Sequence, residues 1–404
     1  MNRKITDTVT WVGKIDWELK KFHGEEYSTD KGTSYNSYLI QDEKTVLIDT
    51  VWMPFSKEFV KNLKDTIDLN EIDYIIANHG EIDHSGALPE LMKEIPDTPI
   101  YCTKKAIDSL KGQYHEDWNF IEVKTGDTLD LGEGQLVFVE MPMLHWPDNM
   151  LEYYTKDKIL FSNDAFGQHY ASEDLFNDLV DQNELFTEAT KYYANILTPF
   201  SGMVTRKIKE ILAFDLELDM ICPAHGIIWR DDPAQIVKQY LEWADNYQED
   251  QITIIYDTMW KNTKLMGEAI AEGLKIKSPK TRLKLINTSL TDKNDVITEV
   301  FKSKAILVGS STINNGILNS LAGVLEMIEG LKFKNKSYAA FGSYGWSGES
   351  VQLIEKHMES SGFKKITDGI KIKWTPTEEN TNALRTFGEN FIKKLEEAKD
   401  DSNA

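Results

Sequence analysis

Two α/β domains are predicted by the sequence: a sandwich of mixed sheets in residues 1–249 and an open, doubly wound parallel sheet in residues 250–404. Three observations carry this reading. The first part holds many short β-like runs, some alternating with period two and some continuously apolar, the mixture expected of mixed sheets rather than one parallel sheet. From Ile252 onward strand-like and helix-like segments alternate regularly, as in a parallel sheet with crossover helices. Between them QIVKQYLEWADNYQED (235–250) has the pattern of an amphipathic helix running into a polar stretch.

In order, the strands expected in the first part are TVTWVGKI, SYNSYLI, TVLIDTV, DYIIAN, PIYCT, LVFVEMPML, KILFSNDA and DMICPAHG. Interleaved helices are expected in FSKEFVKNLKDTI, SGALPELMKEI and KYYANILTPFSGMVTRKIKEILAF. The second part gives strands ITIIYDT, RLKLINTS, AILVGSST, SYAAFGSYG and IKIKW. Helices KLMGEAIAEGLK, DVITEVFKS, GILNSLAGVLEMIEGL, GESVQLIEKHMESSG and NTNALRTFGENFIKKLEEA follow them one by one. Ligands on such a sheet bind at the carboxyl ends of strands, near the point where strand order reverses.

Composition narrows the function classes. Acidic residues outnumber basic ones 66 to 45, a net charge of −21, which argues against binding a phosphate backbone. No stretch approaches the ~18–20 apolar residues of a membrane helix. The N-terminal residues lack the apolar core of a signal peptide, so a cytoplasmic protein is expected. Cys102 and Cys222 are far apart and form no CxxC pair, which excludes an iron–sulfur or rubredoxin-type centre within these residues. Both are expected to be small buried hydrophobes.

The segment YIIANHGEIDHSGALPE (74–90) sets His79, Glu81, Asp83 and His84 just after a short apolar strand. His145, Asp164 and His225 stand at the ends of three later strand-like runs. Four imidazoles and three carboxylates without a thiolate are not a structural zinc set. Seven donors exceed the needs of one ion, so two metals are implied. Asp164, isolated in sequence between the other groups, is the natural bridge. An oxygen-rich set with imidazoles suits iron or manganese, with zinc as the alternative.

These residues resemble the metallo-β-lactamase superfamily, whose usual pattern is HxHxDH; here it is His79-x-Glu81-x-Asp83-His84. Glutamate at the second ligand position, with LHWPD, SNDAFG and PAHG in step and a flavodoxin-like segment behind, resembles the flavodiiron protein family across nearly the whole chain. The resemblance implies a metallo-β-lactamase-like αβ/βα sandwich followed by a flavodoxin-like doubly wound sheet. It implies one iron held by His79, Glu81 and His145, a second by Asp83, His84 and His225, and Asp164 between them. His23 in KKFHGEEY resembles a histidine near the substrate pocket, and Tyr193 in KYYANI a tyrosine that hydrogen-bonds a diatomic ligand. Trp146 and His169 are expected nearby in packing or supporting roles, and His115 and His357 in solvent.

The second domain offers three polar loops at successive strand ends. The first, YDTMWKNTKLM, brings Thr258, Met259, Trp260, Asn262 and Thr263 to the start of a helix, whose free N–H groups suit a phosphate monoester. It has no GxxxxGK[ST] register, so a nucleoside triphosphate is not indicated. The second, GSSTINNGIL, carries Ser310, Thr312, Asn314, Asn315 and Gly316. The third, FGSYGWSGES, carries Ser343, Tyr344, Gly345, Trp346 and Gly348, with glycines for close approach and aromatics for stacking on a ring. FMN is the expected cofactor; no GxGxxG follows a strand, which argues against NAD or FAD.

The resemblance therefore implies an oxidoreductase that reduces O2 to water and/or NO to N2O at two irons, with electrons delivered through FMN. The alternative is a dinuclear zinc hydrolase fused to a flavodoxin-like domain. A head-to-tail homodimer, alone or paired into a dimer of dimers, would bring one subunit's flavin to the other's metals. The electron donor is expected to be separate: rubredoxin, another small redox protein, or a reduced deazaflavin.

Overall fold

The computed structural model describes residues 2–403, with side chains through residue 398. The chain forms two compact units: Met1–Tyr193 with Phe200–Ala244, and Ala194–Pro199 with Asp245–Ala404.

The first unit has two sheets. One runs in the order Arg3–Lys4, Val9–Trp11, Tyr38–Gln41, Thr45–Ile48, Tyr74–Ile76, Ile100–Cys102, Phe120–Glu122. Its early strands pair antiparallel and its last four parallel. The other runs in the order Thr128–Asp130, Gln135–Glu140, Met150–Tyr154, Ile159–Asn163, Met220–Pro223, with only the last pair parallel. Alternation along the strands builds two cores from one sheet. Tyr38, Ile40, Val46, Ile48 and Ile76 face the second sheet and meet Leu136, Phe138, Tyr154, Ile159 and Phe161. Leu39, Leu47, Ile75 and Ile100 face the other way and meet Phe59, Leu63, Leu88, Leu91, Ala106 and Leu110 from the covering helices. The helices Ser201–Leu212 and Ala234–Ala244 turn Ile208 and Val237 toward Leu160 on the far face of the second sheet. The result is the αβ/βα sandwich.

The second unit is a parallel sheet in the order Arg282–Asn287, Glu249–Tyr256, Ser303–Ser311, Ser337–Tyr344, then a fifth position split into Lys364–Lys365 and Ile370–Lys373. This is the flavodoxin-like order, with its switch point beside Glu249–Tyr256.

Three local differences from the sequence reading have physical causes. The run 191–214 is not one helix. The α-helix Gln182–Tyr192 gives way to a π turn over Tyr193–Leu197 and a 3-10 turn over Thr198–Phe200 before Ser201–Leu212 resumes. Pro199 has no N–H to give an uninterrupted α-helix. The amphipathic helix is Ala234–Ala244, and Glu249 and Asp250 already belong to the next strand. Asp83 and His84 lie in a short helix, Ile82–Ser85, that starts before the helix expected in SGALPELMKEI.

Within the second unit Lys336 is buried, and its Nζ donates to the carbonyls of Tyr247, Phe301 and Ser303 at 3.0, 2.7 and 2.7 Å. Burial pushes its ammonium down to about 7. Lys336→Met should destabilise this unit by about 1–3 kcal/mol, because the buried carbonyls of Phe301 and Ser303 lose their donor. An unfolded lysine titrates near ~10.4, so between that value and the native one the unfolded chain binds more protons and native stability rises with pH. Urea unfolding at neutral and alkaline pH should therefore show the gap between wild type and variant widening on the alkaline side.

Candidate functional site

Strand ends bring the metal-competent side chains together. His79 follows Tyr74–Ile76, Asp164 directly follows Ile159–Asn163, and His225 follows Met220–Pro223. His145 is the exception: its strand ends at Glu140, and the residue sits in the loop 141–149. Two clusters result, His79 with the partly buried His145 and Asp164, and the fully buried Asp83 with His84 and His225. In the first, Glu81 Oε2 lies 3.2 Å from His79 Nε2 and 3.4 Å from His145 Nε2. Asp164 Oδ2 lies 3.8 and 3.5 Å from the same two nitrogens. In the second, Asp83 Oδ2 lies 3.3 Å from His84 Nε2 and 3.0 Å from His225 Nε2. The other Asp164 oxygen, Oδ1, lies 3.1 and 3.6 Å from those. One carboxylate thus faces both clusters, one oxygen to each.

The residues fit metal ions. Donors about 2.1 Å from a shared ion stand roughly 3.0–3.4 Å apart, close to these separations. Both carboxylate oxygens of Asp83 and Nε2 of His84 are fully buried and make no hydrogen bond. They converge on their neighbours, an arrangement that a shared cation would satisfy through lone pairs. The far side of one ring is anchored in the way metal-bound imidazoles usually are, and that of another faces a carboxylate. His225 Nδ1 lies 2.8 Å from the Ser34 carbonyl, and His79 Nδ1 lies 3.1 Å from Asp148 Oδ1. Asp148 Oδ2 also accepts from the Gly80 N–H at 2.8 Å, which fixes the loop that carries Glu81.

The electrostatics agree. Burial alone would raise the Glu81 carboxyl, but hydrogen bonds from His145, His23 and His79 hold it well below its ordinary range. Burial is likewise outweighed at Asp164 by His84, His145 and His79, so that carboxyl also stays ionised. Against burial, Asp83 and Asp164 push the His84 imidazole up to about 10. A buried centre with this much negative potential calls for cations.

The remaining expected residues divide. His23 Nε2 stands 3.0 Å from Glu81 Oε1, at the partly exposed edge of the first cluster. Trp146 sets its ring edge-on to His79 with centroids 5.0 Å apart. His169 is buried, with Nδ1 2.8 Å from Thr33 Oγ1 and its ring 5.0 Å from that of His225. Burial and the neighbouring His225 and His23 hold it neutral. Tyr193 points elsewhere: its hydroxyl meets Ser201 Oγ at 3.1 Å and its ring packs on Tyr240 and Trp243. The preceding Tyr192 is the one that packs against His169, at 5.3 Å, and burial with the charges of Asp164, Asp83 and Glu81 pushes its phenol far up. Adjacent helical residues point roughly 100° apart, so only one of the two tyrosines in KYYANI faces His169. His115 is exposed and His357 partly so; Cys102 and Cys222 are buried and free.

In the second unit a cavity of ≈ 400 Å³ opens at the carboxyl ends of three neighbouring strands. Met259, Trp260, Asn262, Thr312, Asn314, Asn315, Ser343, Tyr344, Gly345 and Trp346 line it as expected; Ser311, Ile313, Ser347 and Trp374 were missed. Trp374 stands just beyond Ile370–Lys373, and an aromatic at that strand end was the signal available. Thr263, Ser310, Gly316 and Gly348 shape the loops instead. Thr263 Oγ1 lies 2.9 Å from the hydroxyls of both Ser311 and Ser343, which ties all three loops together. Ser310 Oγ accepts from the Leu318 N–H, Gly316 closes a turn with Ile313, and Gly348 offers its carbonyl to Lys371. The buried hydroxyl of Thr258 has no hydrogen-bond partner, and it sits at the approach to the helix Asn262–Lys277. An unpaired donor beside a helix N-terminus fits a phosphate, and a polar, aromatic-rimmed cavity fits a flat ring.

Fold and site together define a metallo-β-lactamase-like module joined in one chain to a flavodoxin-like module. Comparison with known proteins agrees. The family model for ODP family beta lactamase matches residues 33–226, and that for flavodoxin matches residues 254–388. The anaerobic nitric oxide reductase flavorubredoxin of Aliivibrio fischeri is 57% identical over 396 residues, covering 98% of this chain and 79% of the relative. The Escherichia coli protein of the same name is 54% identical, covering 98% and 82%. Among solved structures, rubredoxin oxygen:oxidoreductase from Desulfovibrio gigas superposes with a TM-score of 0.94 at 35% identity, covering 98% of this chain and 99% of that one. The flavodiiron protein from Giardia intestinalis gives 0.92 at 33%, covering 98% of both. The chain belongs to the flavodiiron protein family.

One backbone position tests the geometry. Gly226, next to His225, has φ +73°, and a Cβ there would lie 2.2 Å from the Gln168 carbonyl oxygen. Gly226→Ala must move the turn, so it should cost about 1–3 kcal/mol and loosen metal held by His225. Thermal unfolding with and without added metal should show the stabilisation by metal shrinking in the variant.

Proposed function

We propose that this chain is a flavodiiron oxidoreductase that reduces NO to N2O and/or O2 to water. In this reading residues 1–249 carry the irons and residues 250–404 carry FMN. His79, Glu81 and His145 would hold one iron, Asp83, His84 and His225 the other, with Asp164 offering an oxygen to each. The observation that carries the reading is the division of Asp164 between two sets, each of two histidines and one carboxylate. A set of two histidines and one carboxylate with open positions is the usual ligation of non-haem ferrous iron that meets small oxidants. The named relatives, a nitric oxide reductase and an oxygen oxidoreductase, support the same substrates.

When bound, FMN would take up electrons in pairs and pass them on singly, and the irons would bind and reduce the diatomic substrate. The chain's own residues prepare the place. The Ser34 carbonyl fixes which ring nitrogen of His225 faces inward, and Asp148 stands 3.1 Å behind the His79 ring. His23 holds Glu81 Oε1, so only Oε2 turns toward the His79–His145 pair. Trp146, His169 and Tyr192 wall the centre with rings and limit water.

Trp260 and Trp346 are 85% and 87% exposed at the rim of the flavin cavity. Large exposed aromatics beside a cofactor site suit cover by another protein surface. We read them as part of a head-to-tail homodimer contact, with electrons arriving from a separate carrier such as a rubredoxin, another small redox protein or a reduced deazaflavin. Among the described residues no helix is long and apolar enough to cross a membrane, which is compatible with a cytoplasmic location.

Metal analysis and the visible spectrum test this directly. The expected outcome is two irons and one FMN per chain, with rapid anaerobic consumption of NO, or consumption of O2, by the pre-reduced protein. Zinc with ester or thioester hydrolysis and no flavin dependence would establish the hydrolase instead.

A further inference from the structure

Glu152 is an anomaly in the sandwich core. It lies on the strand Met150–Tyr154 directly between Phe138 and Phe161, in register with both, and is completely buried. An apolar residue would fill that place at no electrostatic cost, whereas burying a carboxyl is expensive unless something specific meets it. The donor that meets Glu152 is the side-chain amide of Asn78, 3.2 Å from Oε1, and Asn78 immediately precedes His79.

From there a chain of buried hydrogen bonds runs to the metal clusters. Asn78 Nδ2 also donates to Asp49 Oδ2 at 3.2 Å, and the Asn78 backbone N–H donates to Asp49 Oδ1 at 2.8 Å. Asn163 Nδ2 donates to Asp49 Oδ2 at 3.2 Å. Asn149 Nδ2 donates to Asn163 Oδ1 at 2.8 Å and to Asp164 Oδ2 at 3.3 Å. Asn149 Oδ1 in turn accepts from the Trp146 N–H at 2.6 Å, in the loop that carries His145. The Trp146 N–H, which only donates, fixes the orientation of the Asn149 amide, Asn149 fixes that of Asn163, and Asn78 turns its amide nitrogen to the carboxyl oxygens of Asp49 and Glu152.

We propose that Glu152 is a positioning residue for the metal centre, acting through Asn78, Asp49, Asn163 and Asn149 to orient Asp164 and the His79 and His145 loops. Its Oε1 uses one of the two amide hydrogens of Asn78, which leaves the other for Asp49. Asp49 then holds Asn163, and Asn163 holds Asn149 with one hydrogen on Asp164 Oδ2. Burial and the nearby Asp49 push the Glu152 carboxyl far up, so it acts as a neutral acceptor and adds no charge beside the cations. The inference rests on the dinuclear reading of the site, but not on which metal or substrate is native.

The test uses the full-length chain stripped of metal and titrated with Mn(II), read by calorimetry and by the Mn(II) electron paramagnetic resonance spectrum. Glu152→Leu keeps the core filled and removes the acceptor. It should weaken Mn(II) binding about 10- to 100-fold and change the spectrum of the coupled pair. Glu152→Gln keeps an acceptor oxygen and should stay within about 3-fold of wild type. Glu152→Asp withdraws the carboxyl from Asn78 while sparing the packing. It should fall between them, and it decides the matter if the leucine variant does not fold. A lowered melting point with unchanged Mn(II) affinity and spectrum in the leucine or aspartate variant would overturn the proposal, as would a glutamine variant as weak as leucine. Wild-type protein that takes up no pair of ions would defeat the dinuclear reading itself, before any variant is compared.

Discussion

The placement of one carboxylate, Asp164, governs the first unit. Its two oxygens face different pairs of imidazoles, and the arrangement works only if three strand ends and one loop meet at the same level. The parallel pairing of Ile159–Asn163 with Met220–Pro223 supplies two of them, since parallel neighbours send Asp164 and His225 out of the same end of the sheet. The facing sheet supplies the third through Tyr74–Ile76, and the loop 141–149 supplies the last. The alternating residues that separate the two cores of the first sheet therefore do more than stabilise it. A slip of one residue in that register would exchange its two faces and carry the His79 loop away from Asp164.

A comparable constraint shapes the second unit. A parallel sheet leaves its loops polar and crowded at one end, and the backbone there needs partners. The hydroxyls of Thr263, Ser311 and Ser343 meet in a triangle and bind the three loops to one another, so the cavity is held open by its own walls. Rigid loops with an unpaired Thr258 hydroxyl and aromatic rims are prepared for a phosphate and a ring in advance, which lowers the ordering cost of binding.

The sequence exposed these features unevenly. Clustered histidines and carboxylates at the ends of apolar runs were legible because packing alone rarely places such groups together. The five strand-helix units were legible because their alternation is regular. The supports were not. Asp148, the Ser34 carbonyl and the asparagine chain act through distances that sequence spacing does not encode, between residues such as His225 and Ser34 that are remote along the chain. Tyr192 and Tyr193 are adjacent and identical, so nothing in KYYANI marked Tyr192 as the one that packs against His169. Trp374 joins the flavin cavity only because its strand returns beside Ser337–Tyr344, a matter of sheet order rather than motif.

The glutamate at the second ligand position shows how these parts combine. With a histidine there, each ion of a hydrolytic pair would face mostly neutral donors. Glu81 instead contributes a charge that favours the more oxidised ion, and His23 moderates it by engaging Oε1. Only Oε2 is left for the cluster, so His79, His145, Glu81 and one Asp164 oxygen make a set of four single-atom donors. His84, His225, Asp83 and the other Asp164 oxygen match it. Four donors complete a tetrahedral zinc site, but they leave open positions on an ion that prefers six. The same ligand count that would satisfy a structural metal would thus leave a pair of irons, held by these residues, open to a small oxidant.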